Sequence, residues 1–219
     1  MNQKKKIYCI SGLGADERVF SHIQFPAGYD VHFLPWITPM YDDEPIEEYA
    51  ARMSKDIDTT EPVSLVGLSF GGIMSIEIAR QIKVDKMVLL STIKNSKERP
   101  PIFNRFTTFV FKRLPDKLIF KNRAFFVKLF LQSKSHEENK LVADYLKKDD
   151  YTYLRWAVGT IMQWKNDDEL QQPFIHIHGD KDRPFPIKYV HPTHILHGAG
   201  HFMVMNRSKE INHILAGFL

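Results

Sequence analysis

One cysteine, Cys9, is all the chain contains, so it can build neither an intramolecular disulfide framework nor a cysteine-rich zinc site. Its place in the apolar run Ile7 to Ile10 reads as a small buried hydrophobe. No window of 18 or more apolar residues exists, so no integral membrane segment is expected. The lysine-led start followed by Ile7 to Leu13 faintly imitates a signal peptide. That apolar stretch is short, broken by glycine and followed at once by Asp16, Glu17 and Arg18, so the reading is rejected and the cytoplasm is the expected compartment. Internal repeats and low-complexity tracts are also missing. A strong overall charge is absent as well: 30 basic and 26 acidic residues leave +4. The distribution is uneven, however, because residues 94–148 hold 14 Lys or Arg against 5 Asp or Glu. Such a bias could steer anionic substrates or touch a membrane surface or nucleic acid, although a solvated helical face is the commoner explanation. No nucleic-acid-binding motif accompanies it, and nucleic acid is not an expected partner.

What the chain does have is enough apolar material for a core. Its 219 residues are 43% hydrophobic and 26% charged, the composition of a folded domain that buries about 70% of its unfolded surface. Short runs rich in β-branched residues at Lys6 to Ser11, Asp30 to Trp36, Val63 to Ser69, Lys86 to Ser91, Phe174 to His178 and Thr193 to Leu196 read as strands. Helical spacing occupies Pro45 to Ile57, Gly72 to Ile82 and Val204 to Leu219. Alternation of the two implies an α/β fold with a mostly parallel sheet and ligands beyond the carboxyl ends of its strands. The alternation stops after Ser91. Between there and about Asp168 the sequence contains apolar stripes at helical intervals, Phe103, Phe106, Phe109 and Val110, then Phe125, Phe126, Leu129 and Phe130. The expected division is a core of residues 1–92 and 169–219 with a helical cap inserted at 93–168.

The sharpest chemical signal is Gly67-Leu68-Ser69-Phe70-Gly71, after the strand at Val63 and before a helix. A strand that turns abruptly into a helix holds the intervening serine in a tight, strained turn and needs small residues on either side. With 11 Gly and 11 Ser in the chain, a G-x-S-x-G pattern arises by accident about 0.03 times. A serine hydroxyl is a poor nucleophile at neutral pH and needs a base, which needs a group to orient it. Both types follow in order: Gly179-Asp180-Lys181-Asp182 after one strand, and Gly198-Ala199-Gly200-His201 after the next.

Together with Ser11-Gly12-Leu13-Gly14, these pieces resemble the α/β-hydrolase family over almost the whole chain. The resemblance implies a shortened, six-stranded, mostly parallel sheet with the helical cap over the active site. It makes Ser69 the nucleophile, His201 the base and Asp182, rather than Asp180, the orienting carboxylate. It assigns an oxyanion hole to the backbone N–H groups of Leu13 and Phe70. The family's usual histidine before that glycine is Ser11 here, which removes a side chain that often braces the loop. The implied activity is hydrolysis of a small ester, thioester or related acyl compound, without a cofactor. The acyl substrate is the expected partner, and nothing in the sequence indicates an oligomeric state. Trp36, Trp156, Met162 and Trp164 are candidate pocket residues.

Two other readings compete. His176, His178 and Asp180 nearly spell a metal-ligand run, but the last histidine it requires is Lys181, and no metal is expected. For His191, His194 and His197, partly exposed strand histidines are the simpler reading. Alternatively the fold could be catalytically silent and bind a small ligand or partner through the cap.

Overall fold

The fold is built on strands whose alternate side chains face two separate cores. The structure, a computed structural model, describes residues 5–121, 124, 127, 133, 135–147 and 150–219. Six strands form one sheet: β1 (Lys5–Ile10), β2 (Tyr29–Leu34), β3 (Val63–Leu68), β4 (Val84–Leu90), β5 (Phe174–Gly179) and β6 (His194–Leu196). Their order is β2-β1-β3-β4-β5-β6, and every neighbouring pair is parallel. The sheet is therefore six-stranded and parallel, as the alternation of elements implies.

In β1 the two-residue period sends Tyr8 and Ile10 to one face and Ile7 and Cys9 to the other. The first face is covered by α1 (Ile46–Met53) and α2 (Phe70–Ala79), through Tyr49, Met53, Ile73 and Ile76. The second is covered by α7 (Met203–Asn206) and α8 (Ser208–Phe218), through Met203, Val204, Ile211 and Leu215. Helix α2 is buried on nearly every side, which is why its sequence is apolar all round rather than striped. The expected C-terminal helix is two pieces, broken at Arg207. Cys9 is buried, and desolvation pushes its thiol pKa up.

Between β4 and β5 the described elements are all helical: a short 3-10 turn at Ser96–Glu98, then α3 (Arg105–Arg113), α4 (Asp116–Ile119), α5 (His136–Tyr145) and α6 (Tyr151–Gln163). The stripe Phe125, Phe126, Leu129 and Phe130 lies outside the described residues. Helix α6 is not a peripheral cover. Its Tyr153, Trp156 and Ala157 belong to the same buried cluster as Tyr49 and Phe70. Helix α3 packs its Phe111 side against α6, and Phe106 and Phe109 point outward, exposed rather than packed against neighbours.

Candidate active site

Strand β3 ends at Leu68 and α2 begins at Phe70, which leaves a single residue, Ser69, to make the turn. Its backbone sits at φ 54°, ψ −119°, a region that costs a non-glycine residue about 1–3 kcal/mol. The surroundings enforce it. A Cβ on Gly67 would lie 2.4 Å from the Gly71 carbonyl oxygen, and one on Gly71 would lie 2.2 Å from that of Ile10. The Ser69 N–H donates to the Leu90 carbonyl at 2.8 Å, and its own carbonyl accepts from the Thr92 hydroxyl at 2.7 Å. Thr92 thus clamps the turn from the end of β4. The sequence reading missed it, although the residue just past the neighbouring strand is where such a partner would stand.

The turn brings Ser69 to His201. Ser69 Oγ lies 2.9 Å from His201 Nε2, and His201 Nδ1 lies 2.7 Å from Asp182 Oδ2. With the imidazole proton on Nδ1, the hydroxyl donates to Nε2 and the ring donates to the carboxylate. Asp182 and His201 are 4% and 6% exposed, so water competes little for either bond. The second carboxylate oxygen of Asp182 accepts the Phe185 N–H at 2.8 Å, which fixes its orientation. Asp180 stands apart: it accepts from the Gly198 N–H at 2.7 Å and meets His197 Nδ1 at 3.2 Å. The Gly198 bond holds its pKa below the usual carboxylate value, as suits a turn residue.

The loop after β1 runs beside the serine. A Cβ on Gly12 would sit 3.4 Å from that of Ser69, so this glycine lets the main chain come close. Ser11 and Trp36 brace it. Ser11 Oγ donates to the Ala15 carbonyl at 3.0 Å, and the Trp36 indole N–H is 3.1 Å from both Ser11 Oγ and the Gly12 carbonyl. The indole also stacks on Phe70, with ring centroids 4.9 Å apart and planes within 10°. One side chain therefore ties the β1 loop to the first residue of α2.

The four candidate pocket residues separate. Trp36 lines a cavity of about 720 Å³ next to the β1 loop, along with Ser11, Phe20, Leu34, Tyr153 and Leu154. Trp156, Met162 and Trp164 are buried and do not line it. Trp156 stacks on Tyr49 at 4.0 Å and donates to the Glu44 carbonyl. Trp164 donates to Glu77, a buried carboxylate on α2. Their helical spacing does not distinguish a lining residue from a core one.

His176 and His178 are fully buried on β5. Their Nε2 atoms meet the carbonyls of Thr92 and Phe185 at 3.1 and 2.8 Å, and His178 Nε2 is 3.6 Å from Asp182. Burial lowers both pKa values, so the rings are neutral. Asp180 does not join them, and no set of three His, Cys, Asp or Glu among the described residues is placed to hold a metal ion. His191 and His197 are exposed and His194 partly so.

No protein-family model matches the chain, and no curated protein does. Solved structures do. An esterase from Exiguobacterium antarcticum superposes with a TM-score of 0.76 at 13% identity, covering 100% of this chain and 92% of that one. A bromoperoxidase from Bacillus anthracis gives 0.74 at 18%, covering 98% and 91%. An N-acyl homoserine lactonase complexed with N-butanoyl homoserine gives 0.68 at 17%, covering 98% and 88%. At these identities the likeness shows the fold: the chain has the α/β-hydrolase fold.

Proposed function

We propose that this α/β-hydrolase-fold protein is a serine hydrolase that cleaves a small ester, thioester or related acyl compound through an acyl-enzyme. The reading is carried by one observation, the relay from Ser69 Oγ, partly exposed on a strained turn, through the buried His201 to the buried Asp182. A serine at φ 54°, in a turn whose flanking glycines leave no room for a Cβ, is unfavourable for folding, and it aims the hydroxyl at the base.

In this mechanism His201 Nε2 takes the Ser69 proton as Oγ attacks the acyl carbonyl. Asp182 stabilises the imidazolium that forms, and the N–H groups of Leu13 and Phe70 donate to the developing oxyanion. His201 then gives its proton to the leaving group. Water, activated by the same imidazole, releases the acyl group and restores Ser69. Each step uses side chains and backbone of this chain alone. Residues 93–168 act in this reading as the cap.

The cavity beside the β1 loop is lined by Ser11 and Trp36 but not by Ser69, Asp182 or His201; taken as the place for the remote part of the substrate, it suits a neutral or cationic apolar group better than an anionic one. Among the described residues its walls are largely aromatic and aliphatic, its carboxylates are Glu17, Asp150 and Asp16, the last paired with Arg18, and no Lys or Arg lines it. The described Lys and Arg residues of 94–148 do not line it. A panel of p-nitrophenyl esters and acyl-thioesters of increasing chain length tests the proposal. Turnover by the wild type that disappears in Ser69→Ala and His201→Ala, with the fold intact, is the expected result. Turnover retained by Ser69→Ala refutes the nucleophile. No turnover by any variant favours a protein that only binds its ligand.

A further inference from the structure

Among the described residues, no Lys or Arg between 94 and 148 lines the cavity beside the β1 loop, and several of them face outward together with strongly exposed apolar side chains. Among the described residues, four of the large apolar side chains left open to solvent fall within 102–118: Ile102 (66% exposed), Phe106 (74%), Phe109 (53%) and Leu118 (58%). Helix α3 explains the arrangement. Its inner side, Thr108 and Phe111, turns toward α6, where a Cβ on Gly159 would meet the Phe111 ring at 3.7 Å. Phe106, Phe109 and Arg113, spaced by three and four residues, share the outer side. Arg105, Lys112, Lys117 and Lys121 are exposed around them, and the Arg113 guanidinium lies 3.6 Å over the Phe109 ring. The one carboxylate between 101 and 121, Asp116, is paired with Arg155 at 2.6 Å, which leaves the five cations of the segment without a carboxylate of their own. At its end Lys117, Phe120, Lys121 and Tyr151 line a shallow cavity of about 440 Å³.

Protruding aromatics among unopposed cations are stable in one kind of environment above all, where an apolar layer lies directly beneath an anionic one. We infer that the outer face of residues 102–121 docks the protein onto an anionic phospholipid bilayer, with Phe106, Phe109, Ile102 and Leu118 in the headgroup–acyl boundary and the five cations on the phosphates. Charge complementarity selects this occupant. A second copy presenting the same face would set five cations against five. A nucleic-acid strand would be expected to lie in a groove with aromatic platforms, whereas Phe106 stands three-quarters exposed on a projecting helix. The face is tied to the candidate active site through α6, whose Trp156 meets Phe70 edge-on at 5.8 Å.

The test is co-sedimentation of the full chain with vesicles of phosphatidylcholine alone and with about 30% phosphatidylglycerol. The wild type should bind the anionic vesicles at least about tenfold more tightly than the neutral ones, and lose most of that binding between about 0.1 and about 0.5 M salt. A Phe106→Ser, Phe109→Ser double variant and a Lys112→Glu, Lys117→Glu double variant should each lose about tenfold or more on anionic vesicles. All four side chains are exposed, and unchanged circular dichroism and Tm would show the fold preserved. Equal binding to both vesicle types, no binding, or full binding by either double variant overturns the inference. So does tighter binding to a single-stranded oligonucleotide than to vesicles, or a dimer that Phe106→Ser dissolves. Partitioning is read without turnover, so its failure is distinct from failure of the hydrolase assignment.

Discussion

Replacing Asp182 with asparagine changes one atom in a fully buried side chain and should nearly abolish turnover. The carboxylate accepts two bonds, from Phe185 N–H at 2.8 Å and from His201 Nδ1 at 2.7 Å. In Asp182→Asn the amide oxygen can keep the Phe185 bond, which leaves the amide NH₂ facing His201. The imidazole must then accept at Nδ1 and carry its proton on Nε2, the atom 2.9 Å from Ser69 Oγ. That tautomer cannot take the serine proton. The charge that would stabilise the imidazolium is also gone. A wrong tautomer of this kind costs about 10⁴ in kcat in a well-studied serine protease, or about 5.5 kcal/mol of barrier. Stability should change little, because the shape and one backbone bond survive. The assay is kcat and KM on the best p-nitrophenyl ester, beside Tm for both proteins. Asp180→Asn is the control, since Asp180 serves the Gly198 turn. Activity of Asp182→Asn within tenfold of wild type, or a larger loss in Asp180→Asn, refutes the assignment.

Other substitutions probe the scaffold around the serine. Gly71→Ala would drive a Cβ to 2.2 and 2.4 Å from the carbonyl oxygens of Ile10 and Ser11, and these backbone atoms cannot move aside. A loss of about 2 kcal/mol or more is expected, read as a fall of about 4–8 °C in Tm; an unchanged Tm contradicts the packing argument. Trp36→Phe keeps a ring on Phe70 but removes the N–H shared by Ser11 and Gly12. A fall of up to about tenfold in kcat/KM is expected, with wild-type values counting against a bracing role. His176 and His178 are neutral in the fold because burial lowers their pKa values, yet they take protons once unfolded, near their ordinary value of 6.5. The unfolded state therefore binds more protons below that pH, and stability falls as pH drops, by up to about 1.4 kcal/mol per pH unit for each histidine. Urea unfolding between pH 7.5 and 5.5 checks this, and a flat profile would contradict it.

Much of the fold is legible in the sequence because its physical causes are local. A parallel strand covered on both faces is a short continuous apolar run, as in Val63 to Leu68, and a turn that only glycine neighbours permit leaves Gly67 and Gly71 on either side of Ser69. Boundaries shift where that logic is silent. The C-terminal helix breaks at Arg207, and α2 starts two residues before the spacing implies. The side-chain partners of the site are less legible, since they join segments far apart in the chain. Nothing near Trp36 announces that its indole reaches Ser11, and only a place just past the strand beside Ser69 marks Thr92 as its partner. Trp156 and Trp164 look like lining residues from their type, but their N–H groups are satisfied by Glu44 and Glu77, which sit more than 80 positions away. The aromatic spacing of α3 gives helix but not environment: the same period serves a face turned to a core and a face turned to solvent.

An activated Ser69 should react covalently with an electrophile that mimics the acyl transition state, without any knowledge of the natural substrate. Wild type and Ser69→Ala would be incubated with a fluorophosphonate probe and the intact chains weighed. One adduct on the wild type, mapped to Ser69, and none on Ser69→Ala are expected. An unlabelled but folded wild type, or an adduct that persists in Ser69→Ala, would contradict the assignment of Ser69 as nucleophile.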